Sequence, residues 1–126
     1  MSVKYNVVQR GQPGKAETPK KYYPSIQSTG RTTKREMAEM IAQISTISSV
    51  DTMAMLEAFL VVVPRELAKG NIVELGDFGS FWLRSSSEGA DTAEEVRASQ
   101  ITSVLPRFNP GKDFKKALDG IKFKKL

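Results

Sequence analysis

The chain has 126 residues, is 40% hydrophobic and carries a formal charge of +5, which bounds it to one domain, or one domain with an appendage, whose modest core gains from dimerisation. It contains no cysteine and no histidine, which excludes disulfides, thiolate metal sites and Ser-His-Asp or Cys-His catalysis, and leads to the expectation of a cytoplasmic protein that is not an enzyme and needs no metal or other cofactor. The longest apolar run, Ala58 to Val63, falls far short of the ~18 residues of a membrane span, and there is no apolar leader, so neither a membrane nor a small-molecule substrate is expected as a partner.

Residues 1–32 are rich in Gly, Pro, Lys, Thr and Ser. Two β-like runs, Val3 to Gln9 and Tyr22 to Gln27, flank a Gly- and Pro-bearing stretch from Gly11 to Lys21 that reads as a loop. The reading is two edge strands joined by that loop, with disorder of the first twenty residues as the alternative; Pro24 limits the second run to an edge or a strand end.

Thr33-Lys34-Arg35-Glu36 has the form of a capping box, and Met37, Met40, Ile41 and Ile44 follow at helical spacing. Ser48 or Ser49 then caps a second helix, from about Val50 to Lys69, with Gly70 at its C′ position. Met53, Leu56, Leu60, Val63 and Leu67 form its apolar stripe, which Met55, Phe59 and Val62 widen beyond one face. Such a helix needs a second surface, and a dimer interface is the expected one. Pro64 inside the pattern predicts a kink or a restart, with Pro64-Arg65-Glu66 opening a separate helical piece.

Asn71 to Leu75 and Ser80 to Ser85 read as a β-hairpin turning at Gly76-Asp77-Phe78-Gly79. Thr92-Ala93-Glu94-Glu95 is a second capping box and predicts a helix of about two turns. Thr102 to Phe108 is a third strand, Lys112 to about Leu118 a short helix, and Ile121 to Lys125 a basic, apolar tail.

Charge divides the chain in three. Residues 1–35 hold eight Lys or Arg and one Glu, residues 36–106 four against eleven acids, and residues 107–126 seven against two Asp. Basic ends around an acidic middle point to an anionic partner met by the ends.

Gly70-x-x-Val73-x-Leu75-x-x-Phe78-Gly79-x-Phe81, followed by Arg84, resembles the signature of the HU and integration-host-factor family of bacterial histone-like proteins. Pro106-x-Phe108-x-Pro110-Gly111-Lys112 resembles that family's second signature. The resemblance covers roughly Thr33 to Leu118, and the whole is similar to longer, divergent HU-like proteins with an N-terminal extension. It implies an α+β fold: an HU/IHF-like intertwined dimer with two N-terminal helices, a three-stranded antiparallel sheet with an arm, and a short C-terminal helix. The implied division is a basic extension, residues 1–32, and an HU-like DNA-binding domain, residues 33–126.

The resemblance also implies a homodimer whose interface includes Met53, Leu56, Phe59, Leu60, Val63, Phe78 and Phe81, with Phe78, Phe81 and Phe108 in the core beneath a saddle. The implied partner is double-stranded DNA, bent or held bent with little sequence readout, in the nucleoid. Arg84 and Arg107 fall near the base of the arm, where the family places phosphate contacts. Lys112 opens the last helix, where backbone amides also favour a phosphate, and Lys115, Lys116 and Lys122 follow. Lys20, Lys21, Arg31, Lys34 and Arg35, with Lys15, add a basic N-terminal segment.

One departure matters. The family's arm is a long basic ribbon tipped by an Arg-Asn-Pro motif whose proline wedges between base pairs. Here no proline occurs between Arg65 and Leu105, and residues 85–106 hold four acids and one Arg. An arm of net negative charge is repelled by phosphates, so the expectation is that it does not intercalate. The competing expectation is an HU-like fold used as a protein-interaction or assembly module with little DNA binding.

Overall fold

The computed structural model describes residues 2–11, 14 and 19–126. In chain order its elements are β1 (Ser2–Arg10), β2 (Lys21–Ile26), α1 (Lys34–Gln43), α2 (Ser49–Ala68), β3 (Val73–Glu74), β4 (Gly79–Ser87), β5 (Ile101–Pro110), α3 (Lys112–Leu118) and β6 (Lys122–Lys125). They form two compact units: residues 1–33 with 118–126, and residues 34–117.

The first unit is a mixed three-stranded sheet of order β2-β1-β6. β1 and β2 pair antiparallel from Tyr5↔Ile26 to Arg10↔Lys21, the two strands that the β-branched and aromatic runs predict. Most of the loop between them, with Lys15, lies outside the described residues. The basic tail is corrected: Lys122–Lys125 is a strand, parallel to β1, with Val3↔Phe123 and Tyr5↔Lys125 in register. Alternation of Phe123 with lysines suits a strand with one apolar face. Residues 118–126 group with the N-terminal strands in one compact unit.

In the second unit α1 packs on α2, burying Ala38 and Thr52. Ser48 caps α2 as expected, its hydroxyl accepting from the Asp51 amide at 3.1 Å, and Thr52 donates to the Ser48 carbonyl at 2.8 Å. The predicted restart at Pro64 is absent: α2 runs unbroken from Ser49 to Ala68. One proline deletes a single rung of the ladder, which the remaining turns of a long helix tolerate. At the other end of α2 the Lys69 ammonium lies 2.8 Å from the Glu66 carboxylate, and this hydrogen bond holds Glu66 below the ordinary carboxylate pKa.

β3, β4 and β5 form an antiparallel sheet in that order, with Val73↔Phe81 and Phe81↔Phe108 in register. β4 and β5 continue as a two-stranded ribbon to Ser87↔Ile101. The predicted helix at its tip is replaced by two 3-10 turns, Ala93–Glu95 and Ala98–Gln100, and Thr92 makes no side-chain cap bond. Val96 and Arg97 between them are extended, and so short a helix lacks both the length and the packing to stand alone.

The turn into β4 depends on two glycines. Gly79 has φ +145°, and a Cβ there would lie 2.5 Å from the Asn109 carbonyl oxygen. A Cβ on Gly111 would strike the Asp77 carbonyl, and the Gly111 amide donates to the Phe78 carbonyl at 2.9 Å. Gly79→Ala is therefore expected to cost on the order of 2–4 kcal/mol and to lower Tm by roughly 10 °C or more, read by thermal denaturation.

Candidate nucleic-acid interface

Strand alternation splits the β3–β5 sheet into two different faces. One carries Phe81 and Phe108, whose rings lie 5.0 Å apart. Phe78 and Phe114 complete the cluster, with centroid separations of 5.0 Å between them and 5.3 Å from Phe108 to Phe114. Phe78, Phe81 and Phe108 thus share an aromatic cluster, and Phe114, not singled out from the sequence, is its fourth member. The spacing of Phe114 from Lys112 was the available signal, since residues two apart on a helix face different ways.

The other face presents what the core does not use. Trp82 stands opposite Arg107 and Arg84 opposite Leu105, so both arginines and the tryptophan share one side. Trp82 is 37% exposed. Arg84 and Arg107 are diagonal neighbours on that side.

On α3, Phe114 turned into the cluster sends Lys112, Lys115 and Lys116 to the opposite side of the helix, where spacings of three and four align them. All three are exposed, and Lys115 and Lys116 sit in the last turn, where the helix dipole favours cations. The Gly111 amide just before α3 is already engaged by the Phe78 carbonyl.

The remaining predicted cations divide between the units. Lys34 is held by Glu57 of α2 at 2.7 Å, an exposed pair worth about 0–1 kcal/mol that competes with any phosphate. Arg35 is exposed at the start of α1. Lys20, Lys21, Arg31 and Lys122 belong to the first unit, with Lys21 on β2 opposite Arg10 and Lys122 on β6 opposite Ser2.

The ribbon tip is acidic and closed on itself. Arg97, its one cation, donates to the carbonyls of Glu94 at 2.5 Å and Val96 at 3.0 Å. Gln100 donates to the Gly89 carbonyl, and the Glu88 amide to that of Gln100.

The α2 surface is the other conspicuous feature. Met53, Leu56 and Val63 are half-buried, while Phe59 and Leu60 are 40% and 48% exposed and Met55, Val61 and Val62 are exposed beside them. Among the described residues no cluster of acids could hold a metal ion, and no helix is long and apolar enough to cross a membrane.

Comparison with known proteins bears on both units. A family model described as an HU domain fused to wHTH, Ig, or glycine-rich motif matches residues 1–125. DNA-binding protein HU of Thermus thermophilus is 31% identical over 85 residues, covering 66% of this chain and 88% of the relative. Integration host factor subunit alpha of Idiomarina loihiensis is 31% identical over 91 residues, covering 69% and 91%.

Among solved structures, a candidate bacterial DNA-binding protein from Bacteroides vulgatus superposes with TM-score 0.66 at 17% identity. That likeness covers 99% of this chain and 48% of the other, so this chain spans about half of it. Anabaena HU, in a cocrystal with DNA, superposes with TM-score 0.56 at 21% identity over 70% of this chain and 98% of that one. At such identities the structural likeness speaks for the fold.

Proposed function

The chain belongs to the HU-HIG family, HU domains fused to wHTH, Ig or glycine-rich motifs, and from that premise we propose that it is a DNA-binding architectural protein that holds bent duplex DNA as a homodimer, without catalysis. One observation carries the reading. The aromatic cluster occupies one face of the β3–β5 sheet and leaves Arg84 and Arg107 together on the other. Two exposed guanidiniums on a face without core duties suit phosphates rather than base edges. Lys112, Lys115 and Lys116, aligned on α3, add a second basic surface, and without a base-reading helix motif any preference would come from the deformability of the duplex.

The dimer is supported by the apolar α2 surface, which covers more of the helix than α1 conceals. In this reading Met53, Leu56, Phe59, Leu60 and Val63 meet the partner copy, and Phe78 and Phe81 support the same body. Lys34, Arg35, Lys20, Lys21, Arg31 and Lys122 add affinity through their field more than through fixed contacts. The site of action would be the nucleoid. The acidic tip plays no part in gripping DNA, because its single arginine is turned onto its own backbone.

The experiment compares linear and pre-bent duplexes in a gel shift, with the full chain and with a variant lacking residues 89–98. The bent duplex is expected to bind more tightly, and the deletion to change affinity by no more than about threefold. A tenfold or greater loss on deletion would return the grip to the arm. The acidic tip favours a second reading, a protein-docking module with little DNA binding, which predicts weak binding by both variants.

A further inference from the structure

The registers of the β2-β1-β6 sheet sort its side chains onto two unlike faces. On one, Tyr5, Val7, Tyr22, Ile26 and Phe123 line an aromatic cleft of roughly 630 Å³, and Lys125, beside Tyr5, is the one strand cation there. On the other stand Lys4, Arg10, Lys21, Lys122 and Lys124. All five are exposed, and none is paired with an acid among the described residues. The three strands themselves contain no acid.

The placement of the five favours a long anion. Lys4 stands directly opposite Lys124, with Lys122 two residues along on the same side, and Arg10 stands directly opposite Lys21. Like charges so placed cost stability, and an anion between them removes that cost. The two groups lie six residues apart on β1, about 20 Å. Between them the face is neutral, with the rows Asn6↔Ser25 and Val8↔Tyr23. A duplex lays on the order of ten phosphate charges along such a length. A single strand fits less well, because its unpaired bases need rings to stack on, and Tyr23 is the one ring that the registers place on this side. The acidic ribbon of a second copy offers four carboxylates, far fewer than a duplex.

We propose that this basic face is a second duplex-binding surface, so that the chain joins two segments of DNA. It rests on the proposed function only for the first segment, the bent duplex held through Arg84, Arg107, Lys112, Lys115 and Lys116. None of those residues belongs to the first unit, whose own five cations hold the other segment by its phosphates, without reading bases. Toward the bent duplex Lys21 and Lys122 act through their field; toward the second duplex they meet phosphates directly.

The test is capture of a second duplex. The full chain is bound to a random-sequence duplex on beads, and a free fluorescent duplex is added at about 0.1 M salt. Capture is expected. Lys4→Glu with Lys21→Glu leaves three cations and two acids on the face and should lower capture at least about tenfold, with occupancy of the bead duplex changed by less than about threefold. Both like-charged pairs become opposite-charged in this variant, so its Tm should not fall. Lys4→Arg with Lys21→Arg should retain capture. A chain that holds the bead duplex but captures no second one would overturn the inference and leave the proposed function standing, whereas a chain that holds no duplex would overturn both. Unchanged capture by the glutamate variant, or an equal loss of both duplexes, would also overturn it. So would capture that disappears when residues 89–98 are removed, which would make the acidic ribbon of another copy the occupant. An oligothymidylate that displaces the free duplex better than an equal length of duplex would overturn the choice of duplex DNA.

Discussion

Replacing Lys112, Lys115 and Lys116 with glutamate is expected to weaken duplex binding by about 100-fold or more at about 0.1 M salt. Each lysine that neutralises a phosphate steepens the dependence of log affinity on log salt by about 0.9, so removing three per protomer, six per dimer, takes roughly 5 from the slope. The physical basis is local. Phe114 fixes the rotation of α3 by packing 5.0 Å from Phe78 and 5.3 Å from Phe108, and the three lysines project to the far side with no core role. The variant should keep its fold, measured by circular dichroism, and bind all sequences equally weakly. Binding equal to that of the unaltered chain would remove α3 from the interface.

A single aspartate on α2 should have the largest effect on stability. Phe59 and Leu60 are exposed in one copy of the chain, and in the proposed dimer they meet a partner. Phe59→Asp would then bury an unpaired carboxylate, a cost on the order of 3–5 kcal/mol, comparable to the whole stability of a small domain. Sedimentation should show the unaltered chain at twice its 13.9 kDa mass and the variant monomeric and unfolded. Phe59→Leu should remain dimeric. A folded monomer in both proteins would leave the α2 surface without its proposed partner.

Much of this was legible in the residues because local chemistry fixed it. Ser48 and Asp51 mark the start of α2, and the paired glycines around Phe78 mark the turn into β4, each with a geometric need that few other residues meet. Lys112 to Leu118 reads as a helix from the Pro110-Gly111 that precedes it. Other features depended on distant parts of the chain or on packing. Phe123 alternating with lysines was legible as apolar and basic, but only the register with β1, more than a hundred residues away, makes it a strand. The Thr92 capping box misled because a cap stabilises a helix that other forces already favour, and residues 92–100 have almost nothing apolar to pack. Pro64 misled only as to a restart, since α2's length outweighed one missing hydrogen bond.

Of the candidate site, residue types were legible and faces were not. Arg84 and Arg107 stood out as cations near a resembling motif, but their common side follows from Trp82↔Arg107 and Arg84↔Leu105. Lys34 looked free and is engaged by Glu57, 23 residues away. The aromatic cleft on the first sheet was out of reach, because it needs β6 beside β1 before Phe123 and Tyr5 share a face.

The most direct test of the central claim is the affinity of the full chain for random-sequence duplex DNA, titrated with salt. Six or more phosphate contacts predict a fall of about a thousandfold or more between roughly 50 and 200 mM salt. Weak binding that hardly changes over that range would contradict the account and leave the fold serving a protein partner instead.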